Sequence, residues 1–174
     1  MCLPTTGTVS TMDPASFVCS VCAHHHDELP HISSEFPDAC AGVPEAERAA
    51  RVVWTPDTCE IDDDRFFVRA ILDVAVADHP EPLGFNLWVA VHREDFATYL
   101  ESFESADLAP VRATLATELT CYPLSALGLA TTVVFRGGGQ RPRVTLDPTD
   151  HPLAVDQRTG IPLSKACQLI HHFD

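Results

Sequence analysis

Two cysteines three positions apart, with histidines directly behind them, have the clearest capacity for chemistry in this chain. Cys19 and Cys22 enclose two residues, and His24, His25 and His26 follow. A C-x-x-C pair delivers two thiolates from one tight turn, and Zn²⁺ prefers four soft or borderline ligands in a tetrahedron. The motif therefore predicts a zinc site near the start of the chain.

The sequence spacing limits the choice of the third and fourth zinc ligands but leaves several residues possible. If a short helix starts near the second cysteine, His26 at i+4 lies on the cysteine side, and His25 at i+3 is a second possibility. For the fourth ligand Cys59 is the first choice, with His151 and Cys40 next. Four protein ligands would make the site structural, whereas three ligands and a water would permit catalysis. The sequence does not separate these two cases.

A C-x-x-C pair is also the motif of thiol redox proteins. Those proteins place it at the start of a helix that follows a strand in a β-α-β unit. Here the preceding residues 1–16 are rich in Thr, Ser and Pro, so this setting is missing. The redox interpretation therefore ranks below the metal site.

A second candidate for chemistry is a histidine in a turn between prolines, Asp147–Leu153. Asp150 and His151 would serve as proton shuttles in a zinc-dependent hydrolase with an open Cys/Cys/His site. The competing interpretation is a rigid turn held by its own polar side chains, because no serine or cysteine in a nucleophile setting accompanies it. We favour a binding module with a structural zinc over an enzyme, and keep the hydrolase as the second hypothesis.

The charge balance argues against two classes of partner. Lys and Arg total 11 against 25 Asp and Glu, a net charge of −14 over 174 residues. Such a field repels nucleic acid and anionic membranes, whose binding depends on basic side chains. No apolar run approaches the roughly 20 residues of a membrane-spanning helix. We expect a protein or small-molecule partner, no nucleic acid and no membrane.

Cysteine use and the first residues indicate a compartment. Seven cysteines are an odd number and do not form the dense framework of a small secreted domain. Residues 1–16 lack the basic and apolar regions of a secretory signal and predict a disordered lead-in, with Met12 as a second possible translation start besides Met1. Residues 17–174 then form a single domain, which we expect in the cytoplasm.

Alternation with a period of two predicts a central hairpin. Over residues 66–76 and 83–92 every second side chain is apolar, which is typical of half-buried strands. The short connection at 78–82 predicts that the two strands pair antiparallel. Two shorter strands are expected at 131–135 and 143–146, around a glycine-rich turn.

Helical periodicity predicts four helices, at residues 44–51, from 94 onwards, at 109–119 and at 162–172. In the second helix Phe96, Tyr99, Leu100 and Phe103 form one stripe that must be buried. Hairpins with interspersed helices predict an α+β domain. We expect a mainly antiparallel sheet of about four strands with packed helices and an N-terminal zinc knuckle.

The second face of the predicted hairpin is mixed, and it is our candidate binding surface. A small ligand or a partner protein would dock there with a tryptophan as anchor, unless a helix covers part of the face and the rest is a solvated rim. The candidates are Arg69, Asp73, Asn86, Trp88 and His92, together with Arg158 in a later turn.

Several motifs carry a resemblance to a known family: Cys19-x-x-Cys22 with His26, Asp57-x-Cys59-x-Ile61-Asp62, Phe66-Phe67-Val68-Arg69, and Arg141-Pro142 with the run from Leu146 to Ile161. With these motifs the chain resembles the bacterial family known as domain of unknown function 2199, over roughly residues 19–170. The resemblance implies no activity, but it favours Cys19, Cys22, His26 and Cys59 as one ligand set. The chain departs from the family pattern at Ala23, where glycine is usual, and at residues 112–114, where a Phe-Gly-Trp-like stretch is usual.

Overall fold

The computed structural model describes residues 15–101 and 108–173. The strands are β1 (Phe17–Val18), β2 (His25–His26), β3 (Ile32–Ser33), β4 (Val52–Trp54), β5 (Thr58–Ile61), β6 (Arg65–Val74), β7 (Val76–Ala77), β8 (Leu83–Val91), β9 (Val111–Leu115), β10 (Ala130–Val134), β11 (Arg143–Leu146) and β12 (Ile161–Pro162). The helices are α1 (Glu45–Arg51), α2 (Arg93–Glu101), α3 (Pro152–Thr159) and α4 (Leu163–Ile170), and a 3-10 helix spans Asp38–Gly42. The predicted lead-in, up to residue 14, and Phe103 lie outside the described residues.

The predicted hairpin is confirmed and forms the centre of the molecule. β6 and β8 pair antiparallel from Phe66 opposite Val91 to Val74 opposite Leu83. Side chains that lie opposite each other share a face, so the alternating apolar residues of both strands meet on one side. These residues are buried in the main core cluster, as the alternation predicts.

The prediction of a mainly antiparallel sheet of about four strands is wrong. β8, β9, β10, β11 and β6 are neighbours in that order, and β6 also pairs with β8, so five strands close into a small barrel. β3, β5 and β4 extend this ring into a mixed sheet of eight strands. The pairs β3–β8 and β6–β11 are parallel, and pairings between such distant segments leave no local pattern in a sequence.

The barrel can close because β6 and β8 each pair with two different strands along the edge that they do not share with each other. β6 pairs with β5 through residues 65–68 and with β11 at Ile71. β8 pairs with β3 at residues 85–86 and with β9 at residues 89–90. On the edge that faces away from the other long strand, one half of each long strand therefore pairs within the barrel and the other half pairs with the outer strands of the sheet.

The helix predicted at residues 109–119 is also wrong, because this segment contains β9. Ala113 and Leu115 are buried while Arg112 and Thr114 are exposed, which is the alternation of a strand. β9 pairs with β8 and β10 on its two edges. Its alanine-rich surroundings favour a helix locally, and the two ladders override that preference.

The apolar stripe predicted for the second helix is only partly buried in α2. Phe96 and Tyr99 belong to the main core cluster, and the ring of Phe96 packs on that of Phe66 with centroids 5.1 Å apart. Leu100 is 53% exposed. The helix therefore rests on β6 through one edge of the stripe.

The mixed face of the hairpin is largely covered near Phe67. Phe67 and Trp88 belong to a second core cluster, together with Cys40, Cys59 and Ile61. Trp88 is fully buried, so its ring is not available as an anchor on a binding surface. The hairpin is thus buried on both faces at this end.

The last helices return to the start of the chain. α3 packs against β6 and β11, and β12 then pairs in parallel with β7. The N-terminal residues lie on the same region, since the Phe17 ring meets the His79 ring edge-on at 5.6 Å and His79 Nε2 hydrogen-bonds the Ala15 carbonyl. α4 follows β12 directly. None of the helices in residues 15–101 and 108–173 is long and apolar enough to cross a membrane.

The turn from α3 into β12 needs a glycine. Gly160 ends α3 with φ of 74°, and a Cβ on it would lie 3.0 Å from the Ala75 carbonyl oxygen. Gly128 has a similar φ of 79°, but a Cβ there would meet nothing within 4 Å. Gly160 also has ψ of 172°, a combination that is essentially restricted to glycine.

We expect Gly160→Ala to destabilise the protein by about 1 kcal/mol more than Gly128→Ala, since only at Gly160 would the Cβ crowd the Ala75 carbonyl and the backbone lies in a region essentially restricted to glycine. Urea unfolding of the two variants measures the difference. Equal losses of unfolding free energy would show that the approach of Ala75 does not matter.

Candidate metal centre

The C-x-x-C motif lies in the turn of a small hairpin. β1 pairs with β2, with Phe17 opposite His26, and Cys19 N–H donates to the His24 carbonyl at 2.9 Å. Inside the turn, Ala23 N–H donates to the Cys19 carbonyl at 3.0 Å. Ala23 has φ of 59°, a left-handed conformation that explains why a glycine suits this position. We call residues 17–26 the knuckle.

Four side chains converge on one point beside the knuckle. The Sγ of Cys19 lies 3.3 Å from Nε2 of His171, and the Sγ of Cys22 lies 3.3 Å from Nε2 of His26. One ligand atom from each residue falls within 4.8 Å of all the others. A tetrahedral zinc with Zn–S of about 2.3 Å and Zn–N of about 2.0 Å has ligand-to-ligand edges of roughly 3.3–3.8 Å. The cluster therefore has a size that could hold one metal ion.

The fourth residue, His171, follows the end of α4. Its backbone N–H donates to the Cys167 carbonyl at 3.1 Å, which continues the helical turn and directs the ring to the knuckle. Cys167 is buried one turn earlier and its thiol hydrogen-bonds Cys19. His171 was not among the predicted ligands, because only folding brings it close to Cys19, 152 positions away. The one local signal was a histidine at the end of an amphipathic helix.

The surroundings of Cys19 favour its thiolate. Burial by itself raises the pKa of this thiol, but backbone N–H groups of Cys22 and Val21, followed by the Cys167 and Cys22 side chains, hydrogen-bond the sulfur and lower the pKa to about 6. The Val21 nitrogen lies 3.4 Å from the sulfur. A thiolate is the form in which cysteine binds metals, so the turn itself prepares this residue as a ligand.

Cys59, the first choice for the fourth ligand, lies elsewhere. It is buried in the second core cluster with its Sγ 3.9 Å from that of Cys40. Burial, followed by the neighbouring Cys40, raises the pKa of Cys59 to about 12, so both the position and the protonation of this thiol differ from those of Cys19. His25 is exposed and lies 3.6 Å from Asp27. None of Cys40, Cys59, His25 and His151 belongs to the four-residue cluster.

His151 caps a helix. Its Nδ1 accepts the Leu153 N–H at the start of α3, at 3.2 Å, and its Nε2 lies 3.2 Å from the Leu124 carbonyl, to which it donates. Both ring nitrogens are therefore committed to the backbone, and the ring is buried. Asp150 beside it is exposed. This geometry matches the interpretation of a rigid turn and not that of a proton shuttle.

The candidates for a binding surface only partly share a face. On β6, Arg69 lies opposite Trp88 and Asp73 lies opposite Gly84. Residues two positions apart on a strand share a face, so Arg69, Asp73, Asn86 and Trp88 are on one side of the hairpin. Arg69 donates to the Ser34 carbonyl at 2.6 Å. Asp73 forms an ion pair with Arg143. The polar groups of this face are thus largely engaged with the protein itself.

The two remaining candidates lie at ends of secondary structure. His92 precedes α2, and its carbonyl accepts the Phe96 N–H at 3.0 Å. Arg158 near the end of α3 donates to the Thr149 carbonyl at 3.0 Å. The structure does not bring either residue into the metal-ligand cluster.

The fold and the cluster define a protein with a potential metal-binding site formed by the knuckle and the residue that follows α4. The chain belongs to the family described as uncharacterized protein conserved in bacteria (DUF2199), whose model matches residues 18–161. The resemblance found in the sequence is thus confirmed. The matched residues include Cys19, Cys22 and His26 and end before His171. No curated protein and no solved structure matches the chain.

We expect His151→Ala to lower the free energy of unfolding by about 1 kcal/mol, because it removes the cap of α3. His151→Asn keeps an acceptor suited to this position and should recover most of the loss. Chemical unfolding of both variants measures the effect. If the two variants were equally destabilised, the cap would not be the reason for this histidine.

Proposed function

We propose that this protein is a binding module whose fold is completed by one structural zinc ion. The observation that carries the proposal is the convergence of Cys19, Cys22, His26 and His171 within 4.8 Å. Cys19 and His26 come from the knuckle, and His171 comes from the end of α4. The ion would therefore join the first strands of the domain to its last helix.

The donor set favours zinc over other metals. Two thiolates and two imidazoles in a compact arrangement form one of the common structural zinc sites. Soft sulfur ligands select against magnesium and calcium, which prefer oxygen. Four protein ligands also fill a tetrahedral shell, so this arrangement provides no position for a reactive water.

The hairpin that carries three of the ligands is short and packs on the main core cluster through Phe17 and Cys19. β1 and β2 contain two residues each, and isolated short hairpins are marginal in water. Phe17 stacks on the His26 ring, with centroids 5.4 Å apart, and Cys19 is buried. A metal that binds only the folded arrangement would stabilise it by mass action. The proposed role of zinc is thus to hold the knuckle against α4.

The same observations support a binding role over a zinc-dependent hydrolase. A hydrolase needs an open metal position and a base near it. Four ligands leave no open position, and His151 is committed to capping α3. We place the binding module in the cytoplasm, where its free cysteines stay reduced.

Cys22→Ser and His171→Ala should each abolish tight zinc binding and lower the midpoint of thermal unfolding by roughly 10 °C. This shift corresponds to about 4 kcal/mol of ligand stabilisation in a chain of this length. His25→Ala, which removes an exposed neighbour outside the cluster, is the matched control and should keep both properties. Native mass spectrometry of protein made without a histidine tag measures the stoichiometry.

Cys59→Ser tests the choice of the fourth ligand. We expect this variant to retain one zinc per chain, because Cys59 lies with Cys40 in the second core cluster. Loss of zinc on Cys59→Ser with retention on His171→Ala would contradict the proposed site. Wild-type protein that binds no zinc at all, even when zinc is added during refolding, would overturn the proposal as a whole.

A further inference from the structure

A cavity of about 460 Å³ lies between the 3-10 helix, α1 and β4. We call it the Trp54 pocket, and Phe36, Cys40, Arg48, Val52 and Trp54 are among its lining residues. Its volume falls within the range of small-molecule sites in proteins. None of the four residues of the proposed zinc site lines it.

One wall of the Trp54 pocket is aromatic and open to water. The rings of Phe36 and Trp54 meet edge to face, with centroids 4.9 Å apart. Trp54 nevertheless stays 51% exposed. When an apolar group covers a large exposed ring beside a cavity, apolar surface leaves water and the free energy falls.

The floor of the Trp54 pocket is apolar and preformed. Cys40 lines the pocket and belongs to the second core cluster with the buried Cys59 and Trp88, and its Sγ lies 3.9 Å from that of Cys59. The pKa of Cys59 is raised to about 12 by burial, so its thiol carries no charge at neutral pH. A close-packed floor of this kind does not need to rearrange when a ligand enters.

The one cation of the Trp54 pocket is Arg48. Its Nε donates to the Val43 carbonyl at 3.1 Å, which orients the guanidinium, and its terminal nitrogens have no carboxylate partner within residues 15–101 and 108–173. Most other cations of the same residues are paired with a carboxylate, namely Arg51, Arg65, Arg93, Arg112, Arg141, Arg143 and Lys165. Arg48 therefore belongs to the minority of described cations without a carboxylate ion pair, and among these it lines the Trp54 pocket.

The one carboxylate that lines the pocket is already engaged. Asp38 Oδ2 accepts the backbone N–H of Glu118 at 2.7 Å, which links the 3-10 helix to the segment after β9. Asp38 keeps its negative charge, but of the two charged side chains that line the pocket only Arg48 has N–H donors, so an anion would bind at the guanidinium charge. Complementarity to this charge selects an anion, and complementarity to Trp54 selects an apolar body.

We propose that the Trp54 pocket binds a small aromatic carboxylate, with its carboxylate on Arg48 and its ring against Trp54. Guanidinium and carboxylate groups form strong, often bidentate hydrogen bonds. The inference rests on the binding role proposed above and names its ligand class, but it does not depend on zinc.

Tryptophan fluorescence is a direct readout, because the chain has two tryptophans and Trp88 is fully buried whereas Trp54 is exposed. The probes are 3-phenylpropionate, its uncharged amide and 3-phenylpropylamine, each titrated into full-length protein. We expect a saturable change with the acid and at least tenfold weaker binding of the amide, which loses the charge-assisted hydrogen bonds. The amine should bind more weakly than either.

Arg48→Gln is the test variant, because it removes the guanidinium, together with its bond to the Val43 carbonyl, and leaves the aromatic wall of Phe36 and Trp54 in place. We expect it to weaken binding of the acid about tenfold and to leave binding of the amide unchanged. Arg136→Gln, at an exposed arginine that does not line the pocket, should bind the acid like the wild type. Thermal unfolding checks that each variant is folded.

Several outcomes would overturn the inference. They are equal affinity for acid and amide, tighter binding of the amine, or no saturable change with any probe up to about 10 mM, near the limit of specific weak binding. Zinc content is measured on the same samples. Failure in folded, zinc-loaded protein overturns the pocket alone. Binding of the acid by protein that takes up no zinc, even when zinc is added during refolding, supports the pocket and overturns the zinc proposal.

Discussion

The pairing of β6 with β8 is the constraint on which the rest of the molecule depends. Nine residue pairs hold the two strands in one register, and a slip by one position would turn every apolar side chain to the other face. The register therefore decides that Leu72 and Phe85 enter the main core and that Phe67 and Trp88 enter the second cluster. The outer edges of the same strands then position β3, β5, β9 and β11.

The two pairs of nearby thiols show how the environment decides what a cysteine does. At the knuckle, backbone N–H groups stabilise the Cys19 thiolate and bring its pKa to about 6. In the second cluster, burial without such donors raises the pKa of Cys59 to about 12. One environment suits a metal ligand, and the other suits the apolar floor of a pocket. The same residue type thus supports two different proposals in one small protein.

Local features of the candidate site were predictable from the sequence. The C-x-x-C spacing depends only on a tight turn, and the structure brings Cys19, Cys22 and His26 together. His26 was placed there by a short helix in the prediction, whereas the structure brings it to the cysteines through the β1–β2 hairpin. Cys59 was the first choice for a fourth ligand because sequence reasoning ranks residue types and has no measure of distance. His151 resembled a base because acids flank it, whereas its ring caps α3. The surroundings of Cys59 and His151 depend on contacts between segments that are distant in sequence and on backbone groups, and no sequence pattern shows either.

The sequence by itself determined the central hairpin, the two strands around the glycine-rich turn, the knuckle turn and the membership of the family, because each depends on short-range periodicity or on a contiguous motif. Only the tertiary structure decided that the sheet closes through the parallel pair β6–β11, that residues 111–115 form a strand, that Trp88 is covered and that His171 meets Cys19. Parallel pairing and helix docking join segments many residues apart, and their free energy comes from surfaces that exist only after the chain has folded.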